Sequence, residues 1–218
     1  FEVLDENGTG PSMALGATIA SDLRPADIGT LAQVECVAEA VRTAVQSAWI
    51  AKNDDVHFVQ VKCPLLTSDR IASSANGTIT KDTLKSMGLS RGASALGVAL
   101  GLREIDIQTA ERALAEDDRS VWSGRASASA GSELLGHEVL VLGMSASWCG
   151  PLLVDHAVMA DAIDIAPIQS AINRLKVSSG TTLKAAFAKA EAATDGYIRG
   201  QRHTMLNDSD VSSTRHAR

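Results

Sequence analysis

The sequence predicts an α/β (α+β) fold built from repeated units, each running strand, helix, lysine strand, arginine helix, serine strand. Two observations carry that expectation. Short β-branched and apolar runs alternate with stretches of three-four apolar spacing, the pattern of strands and helices in one layered domain. A lysine also recurs in matching surroundings. Lys62 closes Val56-His57-Phe58-Val59-Gln60-Val61, and Lys189 closes Ala185-Ala186-Phe187-Ala188. Each is followed by a hydroxyl-arginine pair, Ser90-Arg91 after the first and Thr214-Arg215 after the second. Counting back from Lys62 gives Val41, Val45 and Ala48, and the same offsets from Lys189 give Ile168, Ile172 and Leu175. A repeat of this kind suggests one site assembled from copies of a unit.

Residues 1–11, with Asp5-Glu6-Asn7-Gly8 and Gly10-Pro11, read as a linker or the end of a preceding unit. The segment 14–20 reads as a strand. Over 26–51, Val34, Val37, Ala38, Val41, Val45, Ala48 and Trp49 form one apolar stripe, hence an amphipathic helix. The run 56–61 is a strand delivering Lys62 to its end, and Pro64 limits its continuation. The small-residue stretch 86–102 predicts a tightly packed helix beginning near Ser90, with Arg91 in its first turn. A charged, irregular stretch, 103–124, contains a helix around 107–115. The segment 125–131 leads into an apolar strand over 139–144. A second unit follows, with a strand near 152–158 and a helix near 164–175. The alanine-rich stretch 183–193 favours helix by propensity, but the repeat favours a strand, and the repeat is preferred. The units are thus 12–148, complete, and 149–218, the front half of another.

The chain has 218 residues, 45% of them hydrophobic and only 3% aromatic, so its core must be close-packed Ala, Val, Leu and Ile. A formal net charge of −6 argues against nucleic acid as partner. No apolar run approaches a membrane span, and no signal peptide opens the chain. The three scattered cysteines, Cys36, Cys63 and Cys149, form no disulfide framework and suggest a reducing cytoplasm.

Lys62 is the first candidate for chemistry. A general-base lysine must be neutral, which needs burial or a neighbouring cation such as Arg91. In Ser127-Ala128-Ser129-Ala130-Gly131, small residues let backbone N–H groups approach a ligand as an oxyanion hole requires, and a serine there suits a Ser-Lys dyad. Arg91 and Arg215 offer planar forks for carbonyl oxygens. Lys189 has an arginine but no serine partner in this chain, so it reads as a structural or substrate-orienting echo. Trp148-Cys149-Gly150-Pro151 has the look of a redox turn, but Leu152 stands where the second thiol must be. Cys63, adjacent to Lys62 on a strand, points to the opposite face and reads as a buried structural thiol. The five histidines show no metal-ligand spacing, and Asn207-Asp208-Ser209-Asp210 reads as a capping turn.

Together these residues resemble the ring-opening amidohydrolase family, whose activities are cyanuric acid hydrolase and barbiturase. The resemblance rests on 57–67 (His57 to Thr67), 86–97 (Ser86 to Gly97), 126–131 (Ala126 to Gly131), 187–192 (Phe187 to Ala192) and 202–218 (Arg202 to Arg218). It covers most of the chain from about Leu23 onward. It implies three related units arranged with pseudo-threefold symmetry around a central site, each giving a lysine, an arginine and a serine. By that resemblance Lys62 and Ser129 are a catalytic dyad. Arg91, Arg215, Lys189 and the backbone at Ser129-Ala130 hold the substrate, and Glu191 belongs to a structural Mg or Ca site, with no cofactor used in catalysis. The implied activity is opening of cyanuric acid to carboxybiuret, then biuret and carbon dioxide. The implied setting is a cytoplasmic homo-oligomer with no nucleic-acid or membrane partner. The alternatives are barbiturase action, a Lys62 Schiff base, or an inert small-molecule-binding fragment. With one complete unit, the chain alone is expected not to turn over.

Overall fold

The computed structural model describes residues 10–161, 163–175, 182–189 and 197–202. Its elements are β1 (Ser12–Ile19), α1 (Leu31–Ser47), β2 (Val56–Pro64), α2 (Ser68–Ser73), α3 (Thr83–Gly101), α4 (Ile107–Glu116), β3 (Ala126–Gly131), β4 (Glu138–Ser145), α5 (Ala166–Leu175), β5 (Tyr197–Ile198) and β6 (Gln201–Arg202). This is the mixed α/β architecture that the alternating pattern predicts. Four strands form one sheet in the order β1-β4-β2-β3. The pairs β1/β4 and β4/β2 are antiparallel, and β2/β3 is parallel. A parallel pair cannot be joined by a tight turn, and the chain from β2 to β3 passes through α2, α3 and α4.

The strands alternate. Val139 and Val141 of β4, and Val59, Val61 and Cys63 of β2, are buried in one cluster with Val37, Val41 and Ala44 of α1 and Ala95 and Val98 of α3. With so few aromatic residues, this layer closes by backbone approach. A Cβ on Gly97 would lie 2.6 Å from Val37 Cβ and 2.8 Å from Val34 O, so only glycine lets α3 sit this near α1. A second cluster, Val34, Ala93, Leu96, Ala110 and Ala113, seats α4 against α1 and α3.

Local chemistry sets the helix boundaries. Asp82 caps α3, accepting from Lys85 N at 3.1 Å, and Asp106 caps α4, accepting from Thr109 N at 2.8 Å. After α1 the chain turns through Trp49, at φ +55°. The hairpin β5/β6 turns on Arg199 and Gly200, both at positive φ, as a two-residue turn requires.

Four expectations are corrected. Helix α3 begins at Thr83 rather than near Ser90, because Asp82 supplies the cap; Arg91 therefore stands in mid-helix, not in the first turn. Strand β2 runs past Lys62 to Pro64, which tolerates proline as its last residue. No strand forms over 152–158: Met13 N donates to Leu152 O, but Val154 N donates to Met144 Sδ and His156 N to Asp155 Oδ1. With those N–H groups given to side chains, no ladder can extend. Residues 182–189 are neither strand nor helix and are exposed. The remainder of the 183–193 stretch, the 207–210 turn, Glu191, Thr214 and Arg215 lie outside the described residues. The helix near 164–175 is present as α5.

Candidate active site

The face of the sheet away from α1 and α3 carries the candidate residues Lys62 and Ser129. In the parallel pair β2/β3, Gln60 lies level with Ser127 and Lys62 with Ser129. Residues level with each other on parallel strands project to the same side, about 4.8 Å apart. Lys62 and Ser129 therefore leave the sheet side by side, although they are sixty-seven residues apart in sequence. Lys62 is exposed, not buried, and Ser129 is half-buried. The period of two brings Gln60 and Ser127 to the same face; the sequence pattern singles out the segment that holds Ser127 but gives neither residue a role of its own. Gln60 bridges the serines: its Oε1 accepts from Ser127 Oγ at 2.8 Å, and its Nε2 donates to Ser129 Oγ at 3.2 Å. An alternation count back from Lys62 and Ser129 would have found both.

Lys189 also reaches this place. Its Nζ donates to Ser127 Oγ at 2.6 Å. The expectation that Lys189 lacks a serine partner is thereby corrected: the partner comes from β3, not from Lys189's own unit.

Among the described residues, strand β3 lies at an edge of the sheet. Val59 N donates to Arg125 O at 2.9 Å, which fixes the phase of the ladder. Ser127 and Ser129 turn their backbone groups toward β2, and Ala128 and Ala130 turn theirs to the outer edge. An oxyanion near Ser129 Oγ would meet the N–H of Ala130 from that edge.

Cys63 lies on the opposite face from Lys62, fully buried, as the alternation predicts. Burial pushes its thiol pKa up despite Ser90, Ser94 and the positive charges of Arg91 and Lys62. A thiol so disfavoured as thiolate is no nucleophile. That Arg91 and Lys62 both act on it places the two cations around the same end of β2.

A buried polar plug holds α3 there. Ser90 Oγ donates to Pro64 O at 2.6 Å, and Leu66 N donates to Ser86 Oγ at 3.0 Å. Behind them Gln33, fully buried on α1, accepts from Gly29 N at 2.6 Å through Oε1. Its Nε2 faces Ser90 O, Ser90 Oγ, Ser94 Oγ and His137 Nε2 at 2.9 to 3.1 Å. Because the Gln33 amide nitrogen only donates, His137 Nε2 accepts, and the ring hydrogen sits on Nδ1, facing Cys36 Sγ at 3.9 Å. Burial drives the His137 pKa down to about 4, so it stays neutral. The plug ties α1, α3 and the start of β4 to the end of β2, and Arg91, itself buried, follows Ser90 directly. Its members are scattered between Gln33 and His137, so no short motif reveals them.

Residues 3–218 match the family model described as amidohydrolase ring-opening protein. The chain belongs to that family. It is 53% identical over 211 residues to a cyanuric acid amidohydrolase of Azorhizobium caulinodans, covering 95% of this chain and 59% of the relative. It is 46% identical over 215 residues to the enzyme of that name from Pseudomonas sp. (strain ADP), covering 96% and 59%. The crystal structure of cyanuric acid hydrolase from A. caulinodans superposes with a TM-score of 0.84 at 51% identity, covering 98% of this chain and 61% of that one. A second solved cyanuric acid hydrolase, described as an evolutionary innovation by structural concatenation, gives 0.83 at 43% identity, covering 99% and 61%. The chain thus spans about three-fifths of the length of these relatives. Among the described residues, no helix is long and apolar enough to cross a membrane.

Proposed function

We propose that this chain supplies one reacting unit, and part of another, to a hydrolase that opens the ring of cyanuric acid. The observation that carries the reading is the register of β2 and β3, which sets Lys62 level with Ser129 on the open face. The names of the relatives support the substrate. In this reading Lys62 takes the proton of Ser129 Oγ, and the oxygen attacks a ring carbonyl. The Ala130 N–H, with the forks of Arg91 and Arg215, receives the developing oxyanion. The ring C–N bond breaks and its nitrogen takes up the proton. Water then releases carboxybiuret, which loses carbon dioxide to give biuret. Glu191, with its structural ion, stands outside this sequence of steps.

One contact favours a second assignment of the base and nucleophile. Lys189 Nζ already lies 2.6 Å from Ser127 Oγ, hydrogen-bond reach for a base and nucleophile. Lys189 is therefore either the orienting cation of the Lys62–Ser129 site or half of its own dyad. The test is cyanuric acid loss and biuret formation by the intact protein carrying Lys62→Ala, Ser129→Ala, Lys189→Ala or Ser127→Ala. The first reading expects the Lys62 and Ser129 variants to lose turnover, while the other two chiefly raise KM. Retained turnover in either Lys62→Ala or Ser129→Ala removes that pair from the mechanism.

A further inference from the structure

A separate cluster lies at the opposite end of β2. Where β2 meets β4, Val56 pairs with Gly143 and Phe58 with Leu142, so His57 is the extra residue of a β-bulge. A bulge re-aims a side chain, and it recurs where a strand serves a site. Here His57 and Phe58 are both only partly buried, breaking the alternation, and His57 meets the segment that follows β4. His57 Nδ1 lies 2.9 Å from His156 Nδ1 and 3.6 Å from Asp155 Oδ1. One ligand atom from each of the three residues lies within 4.8 Å of the others.

We propose that His57, Asp155 and His156 bind a divalent transition-metal ion of the zinc, cobalt(II) or nickel(II) class. With metal–nitrogen bonds of about 2.05 Å and tetrahedral angles, ligand atoms stand about 3.3 Å apart. The observed 2.9 and 3.6 Å straddle that spacing, and the third pair of ligand atoms lies within 4.8 Å. Two imidazoles with one carboxylate suit these metals rather than Mg or Ca, which want oxygen ligands. The ligand set is thus distinct in kind from the ion that the family resemblance attaches to Glu191.

The surroundings fit. Arg174 of α5 donates from Nε to Asp155 Oδ2 at 2.7 Å and from Nη2 to His156 O at 2.8 Å. It fixes the carboxylate from behind, as outer partners orient ligands in metal sites, while Oδ1 accepts from His156 N at 2.7 Å and keeps a lone pair toward His57. Arg125, the other nearby cation, is paired with Glu104 at 2.9 Å and with Asp54 at 3.8 Å. A cavity of about 330 Å³, lined by His57, Met144, Leu153, Val154, Asp155 and Arg174 among others, opens beside the cluster and admits water as the fourth ligand. Without an ion, one imidazole must carry its hydrogen on Nδ1 to bond the other. When the ion binds, that hydrogen moves to Nε2 and both Nδ1 lone pairs face the metal. The ion would fasten the chain after β4, which no strand ladder holds, to β2.

The experiment is titration of the chelator-treated intact protein with cobalt(II). One equivalent should bind, with the visible absorption of a nitrogen-ligated tetrahedral ion and a raised Tm. Asp155→Asn should weaken binding about tenfold or more. His57→Ala and His156→Ala should abolish it, while Glu191→Gln leaves the absorption unchanged. Diethylpyrocarbonate labelling of the unaltered protein, mapped by mass spectrometry, needs no variant. Zinc(II) should protect His57 and His156 together. Absence of the absorption, its survival in both histidine variants, or equal labelling with and without zinc(II) would overturn the proposal.

Discussion

On the face of the sheet covered by α1 and α3, Val59, Val61, Val139 and Val141 are 2% exposed or less. On the other face of the same strands stand Gln60, Lys62, Ser127 and Ser129, with Lys62 exposed and the serines held by amide and ammonium donors. The period of two sorts adjacent residues to opposite duties: Val61, Lys62 and Cys63 are core, candidate base and core in succession. The covered face is crowded to the point that only glycine fits at 97. On the open face Lys62 is exposed and Ser129 half-buried, so these two side chains can change with little effect on stability.

That contrast predicts opposite signatures for substitutions on the two faces. The largest effect belongs to the open face. Ser129→Ala should cut cyanuric acid turnover by about a thousandfold or more, equivalent to about 4 kcal/mol of barrier, while shifting Tm little. Steady-state kinetics with calorimetry on the same sample checks both halves. A Tm loss matching the activity loss would show that Ser129 is a packing residue and erase the division.

Behind the covered face, where α4 packs on α1 and α3, Leu96→Ala should do the reverse. Leu96 is fully buried among Val34, Ala93, Ala110 and Ala113, so the cavity should cost about 3 kcal/mol of stability. Below the melting transition KM should stay unchanged. Chemical denaturation reads the first quantity and kinetics the second. A stability change below about 1 kcal/mol would mean that α4 relaxes into the space.

The unequal legibility of the two faces has a physical cause. Alternation and helical periodicity are local, so β1, β2, β4, α1 and α4 are readable within a few residues of their bounds. The level placement of Lys62 and Ser129 depends on strand register, which no local pattern specifies. The family resemblance names the two residues as a pair and says nothing of their register. The start of α3 was misplaced because the small residues from Ser90 outweighed a better cap at Asp82. Residues 152–158 have the composition of a strand, yet their N–H groups find side-chain acceptors first. The plug of Gln33, Ser90, Ser94 and His137 joins positions as many as 104 residues apart and leaves no sequence signature.

His137 offers a sharper probe of the covered side, because its neutrality is a stability statement. Its pKa falls from 6.5 to about 4 on folding. The unfolded chain therefore binds the proton first as acid is added. The contribution is complete above pH 6.5, declines as pH falls from 6.5 toward 4, and is flat below about 4. The full loss is about 3 kcal/mol at roughly 1.4 kcal/mol per pH unit. His57 and His156 are shifted in the same direction, so the difference between wild type and His137→Gln isolates this group. Denaturant midpoints measured across pH 4 to 7 should give wild type a steeper decline than the variant. Parallel curves would mean that water reaches the plug.

The smallest effect tests the seam between the faces. Asp82 starts α3 seven residues before the Ser90 that bonds Pro64 O. Asp82→Ala should cost about 1 kcal/mol through loss of the cap. If the plug alone positions Arg91, the first turn frays and KM is unchanged. If the cap sets the helix register, Arg91 shifts with it and KM rises although Asp82 is exposed and remote from the open face. Hydrogen exchange at Lys85 N separates the cases: faster exchange with constant KM leaves the plug as the element that joins core to site.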